Sequence, residues 1–194
     1  MGPRSRKATD QEIFTAVMGA VSRLGPDRMT LADVAGEVGL TAGALVQRFG
    51  SKRDLLLAAV RAWNDSPSDT LETLRAAHAS PLDTLFAYAG RVARWIETPE
   101  EMANQLAMLQ LDFADPDFRA EAIRFFRAQR ATLLRWLEEA VATGELKPET
   151  DTQRLAVLVQ TSIEGGRLVW LMLEEDQEAA ARWQLEALLA PYRP

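Results

Sequence analysis

The stretch 30-TLADVAGEVGLTAGALVQRFGSKRDLL-56 decides the fold. Leu31, Val34, Ala35 and Val38 form one apolar stripe at helical spacing, and Leu45 and Phe49 form another beyond Gly39. Immediately upstream, Phe14, Val17, Val21 and Leu24 supply a third stripe. Helices of two or three turns with one apolar face hold their shape only by burying those faces against one another. A sharp turn at Gly39 suits a residue for which left-handed backbone is cheap, and Ala35 is small where two steeply crossing helices need close backbones. Helix, tight glycine turn, helix is the helix-turn-helix arrangement.

Outward from this stretch, helix start signals recur. Thr9 with Glu12, Thr98 with Glu101 and Thr150 with Gln153 are spaced as capping boxes, and Thr30 with Asp33 and Ser51 with Asp54 are shorter-armed versions. Ser66-Pro67, Ser80-Pro81, Thr98-Pro99 and Asp115-Pro116 add proline at a first helical position, while Gly25-Pro26, Gly39, Gly50 and Gly144 mark stops. No segment alternates as a strand does. The pattern predicts an all-α protein of about nine helices, over 9–24, 31–38, 41–49, 52–64, 81–97, 99–113, 116–143, 151–174 and 177–190. The stretch 64-NDSPSD-69 reads as a linker. It separates a three-helix helix-turn-helix domain over 1–61 from a larger helical bundle over 62–194.

The absence of cysteine from the 194 residues excludes disulfides, thiol nucleophiles and thiolate metal sites. No stretch has the roughly 18 to 20 apolar residues that a membrane span needs, and the first residues lack a signal peptide's apolar core. A cytoplasmic protein without membrane association is expected. The net charge of −6 is uneven: residues 1–61 hold nine Lys/Arg against six Asp/Glu, leaving an acidic remainder. A polyanionic partner at the N-terminal end fits that asymmetry.

The order Thr30, Ala35, Gly39, Thr41, Gly43, Leu45, Phe49, Ser51, Lys52, Leu55 resembles the DNA-binding domain of the tetracycline-repressor (TetR) family of bacterial transcription regulators. Chain length and the segment beginning Gly144-Glu145-Leu146 are also similar to that family. The resemblance implies that helix 41–49 enters the major groove of a double-stranded operator. Candidate DNA-binding residues are Thr30, Thr41, Ala42, Gly43, Ala44, Gln47, Arg48 and Lys52. Thr41 offers a helix N-terminus to a phosphate, and Lys52 meets the backbone as a point charge. Gln47 suits adenine, while Ala42 and Ala44 suit thymine methyl groups. Small side chains there, Gly43 included, also let the helix sit deep. Three positions depart from the family: Val46 replaces an aromatic residue, Arg48 an aromatic or histidine, and Ala42 a frequent lysine. Arg48 is expected at a phosphate or a guanine edge, with phosphate preferred. Arg4, Arg6 and Lys7 form a basic arm that either follows the minor groove or has no role.

The family's larger domain dimerises through its last two long helices and encloses a small-molecule pocket. An apolar or amphipathic effector is the implied ligand. Candidate pocket residues are Phe86, Met102, Leu106, Leu109, Phe113 and Phe126, with Gln110, Gln129 and Ser162 as polar anchors. Core packing explains the apolar ones equally well. Two adjacent glycines inside helix 151–174 weaken it, so Gly165 and Gly166 serve either a symmetry mate's approach or a ligand's space. The first is preferred, giving Leu158, Gly165, Gly166 and Val169 as candidate homodimer contacts. Arg119, Arg124, Arg127, Arg130 and Arg135 read as a solvated face paired with Glu121 and other acids, or as an anion site.

Two rivals remain. Asp112, Asp115, Asp117 and Glu121 cluster as an enzyme's acid/base or metal carboxylates would, yet a helix start at Asp115-Pro116 accounts for them. His78, the one histidine, has no sequence-local partner. No catalytic residue, metal site or cofactor is therefore expected. An all-α interaction module without DNA binding leaves Thr41 and Lys52 unexplained.

Overall fold

The computed structural model describes residues 8–65 and 69–194, the side chains of 69 and 70 excepted. The chain is all-α, with ten α-helices among the described residues: α1 Asp10–Arg28, α2 Leu31–Glu37, α3 Ala42–Phe49, α4 Lys52–Asp65, α5 Asp69–Ala76, α6 Pro81–Ala93, α7 Pro99–Ala114, α8 Pro116–Ala142, α9 Thr152–Met172 and α10 Gln177–Leu189, followed by a 3-10 turn at Ala190–Tyr192. The expected fold class holds, and the helix count rises by one. The addition is α5, which carries only Leu71 and Leu74 into the core and so gave a weak periodic signal. The centre of the expected linker, like the basic arm at 4–7 and the Ser66-Pro67 start, lies outside the described residues.

Local capping chemistry sets most boundaries. Thr9 with Glu12 and Thr30 with Asp33 close reciprocal capping boxes. Ser51 with Asp54 and Thr98 with Glu101 also bond as their spacing implied. One start moves: α9 is capped by Asp151, which accepts from the Arg154 amide at 3.0 Å, and not by Thr150, whose hydroxyl is buried without a partner. An aspartate outcompetes a threonine one residue earlier because its carboxylate is the stronger acceptor.

The described residues fall into two compact units, one comprising those within Met1–Ser66 together with Ala103–Ile123, the other those within Pro67–Met102 together with Arg124–Pro194. The first unit thus draws on 103–123 as well as on the N-terminal segment. Its core contains Ile13, Val17, Val34, Leu45 and Leu55, and Met108 and Phe118 complete it. Each such side chain contributes on the order of 1.5–3 kcal/mol on burial. Phe14, given to the stripe with Val17, Val21 and Leu24, lies half-buried at the edge, against Phe49 with centroids 5.7 Å apart.

Inside α1 the chain breaks at Gly25, whose φ of 78° and ψ of 160° belong to a region that side chains exclude. Asn104, brought in by α7, fills the notch. Its amide donates to the Ser22 carbonyl at 2.7 Å, and its Oδ1 lies 2.7 Å from where a Gly25 Cβ would stand. Pro26 follows, lacking the donor that the break leaves without a helical acceptor.

The second unit is cored by Leu85, Leu133, Trp136, Leu137, Leu155, Val159, Ile163 and Leu185. Trp136 meets Tyr88 edge-on at 5.8 Å. A polar seam crosses this core. Gln129 donates to the Tyr88 hydroxyl and the Glu164 carboxylate, both at 2.8 Å, and accepts from Gln160 at 2.6 Å. Arg130 and Arg167 close its ends on Gln160 and Glu164. Burial pushes the Tyr88 phenol above its ordinary range.

Candidate nucleic-acid interface

Leu45 on α3 is buried at 1% exposure, with Ala42 and Phe49 half-buried on the same side. Gly43, Val46 and Gln47 therefore share the opposite, solvent-facing side, with Gly43 about one turn before the other two. Thr41 caps α3, its Oγ1 accepting from the Ala44 amide at 3.2 Å. Here α3 differs from α1 and α2. Their caps place Glu12 and Asp33 at the third helical position, and the carboxylate takes the threonine hydroxyl's hydrogen. Ala44 holds that position in α3, so the Thr41 hydroxyl finds no acceptor among the described residues. It stays available to a phosphate oxygen. The Gln47 amide is likewise without a hydrogen-bond partner among the described residues.

The cations divide. Lys52 Nζ donates to the Asp27 carbonyl at 2.8 Å, which leaves two ammonium hydrogens. Arg48 is committed to the protein, donating to the Ala8 carbonyl at 2.9 Å and pairing with Asp10 at 2.5 Å. Thr30, another candidate contact, has its hydroxyl and amide both bonded to Asp33, whose carboxyl those bonds hold below its usual range. Sequence reasoning missed these tethers because Asp10 and Asp27 lie 38 and 25 positions away along the chain.

The carboxylate cluster resolves into structural contacts. Arg53 takes Asp115 in a two-toothed bond at 2.7 Å and Asp117 at 2.6 Å, which lowers the Asp115 carboxyl. Asp115 also accepts from the Asp117 amide, the helix-start duty expected of it. Glu121 accepts from Arg61 and Asn64. Burial pushes Asp112 up to about 6. The arginine series disperses, with Arg119 on the Phe113 carbonyl, Arg130 on Gln160 and Arg135 on Glu72.

The pocket candidates are divided between the units. Leu106, Leu109, Gln110 and Phe113 belong to the first, and Phe86, Met102, Phe126, Gln129 and Ser162 to the second. Phe113 is 66% exposed, while Gln129 spends its polar atoms on the seam. The dimer candidates separate by face. Leu158, Gly165 and Val169 lie on one exposed side of α9, joined there by Val157, Leu168 and Met172, with Trp183 exposed on α10. Gly166 faces inward beneath Trp170, whose ring atoms lie 2.4 and 2.5 Å from a notional Cβ. Its missing side chain makes room for that indole within the subunit.

A short helix braced from behind, with a small-residue outer face, an uncommitted amide and a phosphate-ready cap, defines a helix-turn-helix DNA-binding transcriptional regulator. The chain belongs to the TetR family. Residues 81–185, more than half of it, match the family described as tetracyclin repressor-like, C-terminal domain, and residues 19–59 match the bacterial regulatory proteins of the tetR family. Similar folds occur in a TetR-family transcriptional regulator from Cytophaga hutchinsonii, with 19% identity, TM-score 0.78 and coverage of 100% of this chain and 98% of that one. A TetR-family regulator structure from Rhodococcus sp. shows 25% identity, TM-score 0.71 and coverage of 93% and 96%. The regulator FadR from Bacillus subtilis, in complex with stearoyl-CoA, shows 17% identity, TM-score 0.72 and coverage of 94% and 98%. No curated protein matches the chain. No described helix is long and apolar enough to cross a membrane.

Proposed function

We propose that the protein is a homodimeric repressor that places α3 of each subunit in adjacent major grooves of a palindromic operator and is released by a small apolar or amphipathic molecule. One observation carries the DNA-reading part: α3 turns Gly43, Val46 and Gln47 outward while Thr41 keeps a free hydroxyl hydrogen at its N-terminus. Dimeric helix-turn-helix proteins span half-sites about 34–36 Å apart. Support for the dimer is the exposed apolar face of α9 and α10, since exposed patches of this kind mark association sites. Support for an effector is the stearoyl-CoA held by the Bacillus subtilis regulator. An effector acts only through unequal affinity for the operator-competent and operator-incompetent dimers.

Selection of bound sequences from a random DNA pool tests this reading, with a palindrome as the expected product and no enrichment as the result against it. On the selected operator, Lys52→Ala is expected to weaken binding to all sequences alike and lower the salt slope by about one unit. Gln47→Ala is expected instead to relax preference at one base position, by about 1–3 kcal/mol. A uniform loss across operator variants would show that Gln47 does not read a base.

A further inference from the structure

Leu45 anchors α3 in the core and Phe49 is half-buried, so Val46, at 46% exposure, is the large apolar side chain that the reading helix leaves in solvent. Gly43 stands three residues before it, on the same face. Its backbone is helical, unlike that of the positive-φ glycines Gly25, Gly39, Gly50 and Gly144. A Cβ at Gly43 would meet only the Thr41 Oγ1, at an ordinary 3.9 Å. Neither backbone nor packing within the subunit thus needs the glycine, although it weakens a helix of 8 residues relative to alanine. The missing side chain leaves open the turn toward which a helical side chain at 46 leans. Val46 and the bare Gly43 turn are the wall and floor of a notch the size of the absent methyl group.

Valine brings neither donor nor acceptor to a groove. The base edges of the major groove present ring nitrogens, carbonyl oxygens and amino groups, and a single kind of apolar group, the C5-methyl of thymine. Pressed on the polar edges, Val46 would strip water from them and return no hydrogen bond. Pressed on the methyl group, both partners lose only apolar surface. Gln47, beside Val46 on the same face, suits an adenine, and every adenine in a duplex brings a thymine across the pair. The two neighbours therefore favour A·T composition by independent chemistry, one through an amide and the other through a methyl contact.

We propose that Val46 is a specificity-determining residue of the regulator: its γ-methyl groups and the Gly43 turn receive the C5-methyl of one thymine in each half-site. The inference rests on the DNA-reading role of α3. It makes a base reader of the position where the family carries an aromatic residue, and moves the thymine contact from Ala42 and Ala44, which are half-buried, to the exposed notch.

The test uses the full chain and the operator selected from the random pool. Each thymine is replaced in turn, in both half-sites together, by deoxyuridine, which removes the C5-methyl and leaves base pairing unchanged. Affinity is measured by fluorescence anisotropy at fixed salt for the native chain, Val46→Ala and Gly43→Ala, with circular dichroism confirming folding. One thymine is expected to stand out for the native chain, its demethylation weakening binding about fourfold per half-site and so about fifteenfold in all, as the burial of one methyl group predicts. Val46→Ala is expected to bind the unmodified operator more weakly and to lose no more than about twofold on the same replacement, because the contact is already gone. Gly43→Ala is expected to melt at a higher temperature than the native chain and yet to bind about tenfold more weakly, since its Cβ fills the notch. A deoxyuridine penalty of equal size in the native chain and in Val46→Ala overturns the proposal. So does the lack of any thymine whose demethylation weakens native binding, or native affinity in Gly43→Ala. Should Val46→Ala fail to fold, the native chain and Gly43→Ala still decide the matter. Enrichment of no operator would sink the DNA-reading role of α3, whereas a defined operator without a Val46-dependent methyl effect would sink only the role of Val46.

Discussion

Val169→Asp is expected to convert the protein to a monomer and remove its preference for a two-half-site operator over a single half-site. Val169 is 51% exposed on the same side of α9 as Leu158, Leu168 and Met172. In a twofold interface each substitution occurs twice, and each carboxylate loses water against an apolar partner. At several kcal/mol per buried ion, the pair destabilises association by roughly 4–8 kcal/mol, or about three to six decades in the dimer constant. The isolated subunit is nearly indifferent to the change, because a surface substitution of this kind alters stability by about 0.5 kcal/mol or less. Sedimentation equilibrium at micromolar concentration should find the monomer mass with the helical circular dichroism intact. A dimer of native strength would place the interface elsewhere.

The second large effect concerns stability. Gly25→Ala forces a side chain onto backbone at φ 78° and ψ 160°, and sets its Cβ 2.7 Å from the Asn104 oxygen. The backbone region alone costs about 1–3 kcal/mol, and displacing Asn104 from the Ser22 carbonyl adds about 1 kcal/mol. A loss of roughly 2–4 kcal/mol in urea unfolding is expected, with operator affinity falling as α1 shifts. Gly36→Ala supplies the contrast. Gly36 is helical and exposed, and a Cβ there meets nothing within 4 Å. Alanine should therefore stabilise α2 by about 0.5–1 kcal/mol. Equal effects at the two glycines would refute the account of the α1 notch.

The helix-turn-helix was legible because its causes are local. Apolar spacing across Leu31, Val34, Ala35, Leu45 and Phe49 specifies which faces must meet, and Thr9, Thr30 and Ser51 bond to groups three residues away. The outward set of Gly43, Val46 and Gln47 follows from the same periodicity once Leu45 is known to be inside. The missed α5 had no such pattern to betray it. Thr150 lost the α9 cap to its neighbour Asp151, a competition that spacing alone does not rank.

What needed the tertiary structure is the state of each candidate group. Residue type placed Thr41, Gln47, Arg48 and Lys52 together as DNA-facing, but only through-space neighbours separate them. Arg48 finds Asp10 and Ala8, Lys52 finds Asp27, and Thr41 keeps its hydroxyl hydrogen. Likewise, adjacent glycines looked alike in α9 until Trp170 folded over Gly166 and left Gly165 on the exposed face. Helical periodicity and caps act over three or four residues, so the amino-acid order determines them by itself. Whether a charge is spent, or a missing side chain is needed, depends on groups brought in from tens of residues away, and packing alone decides that.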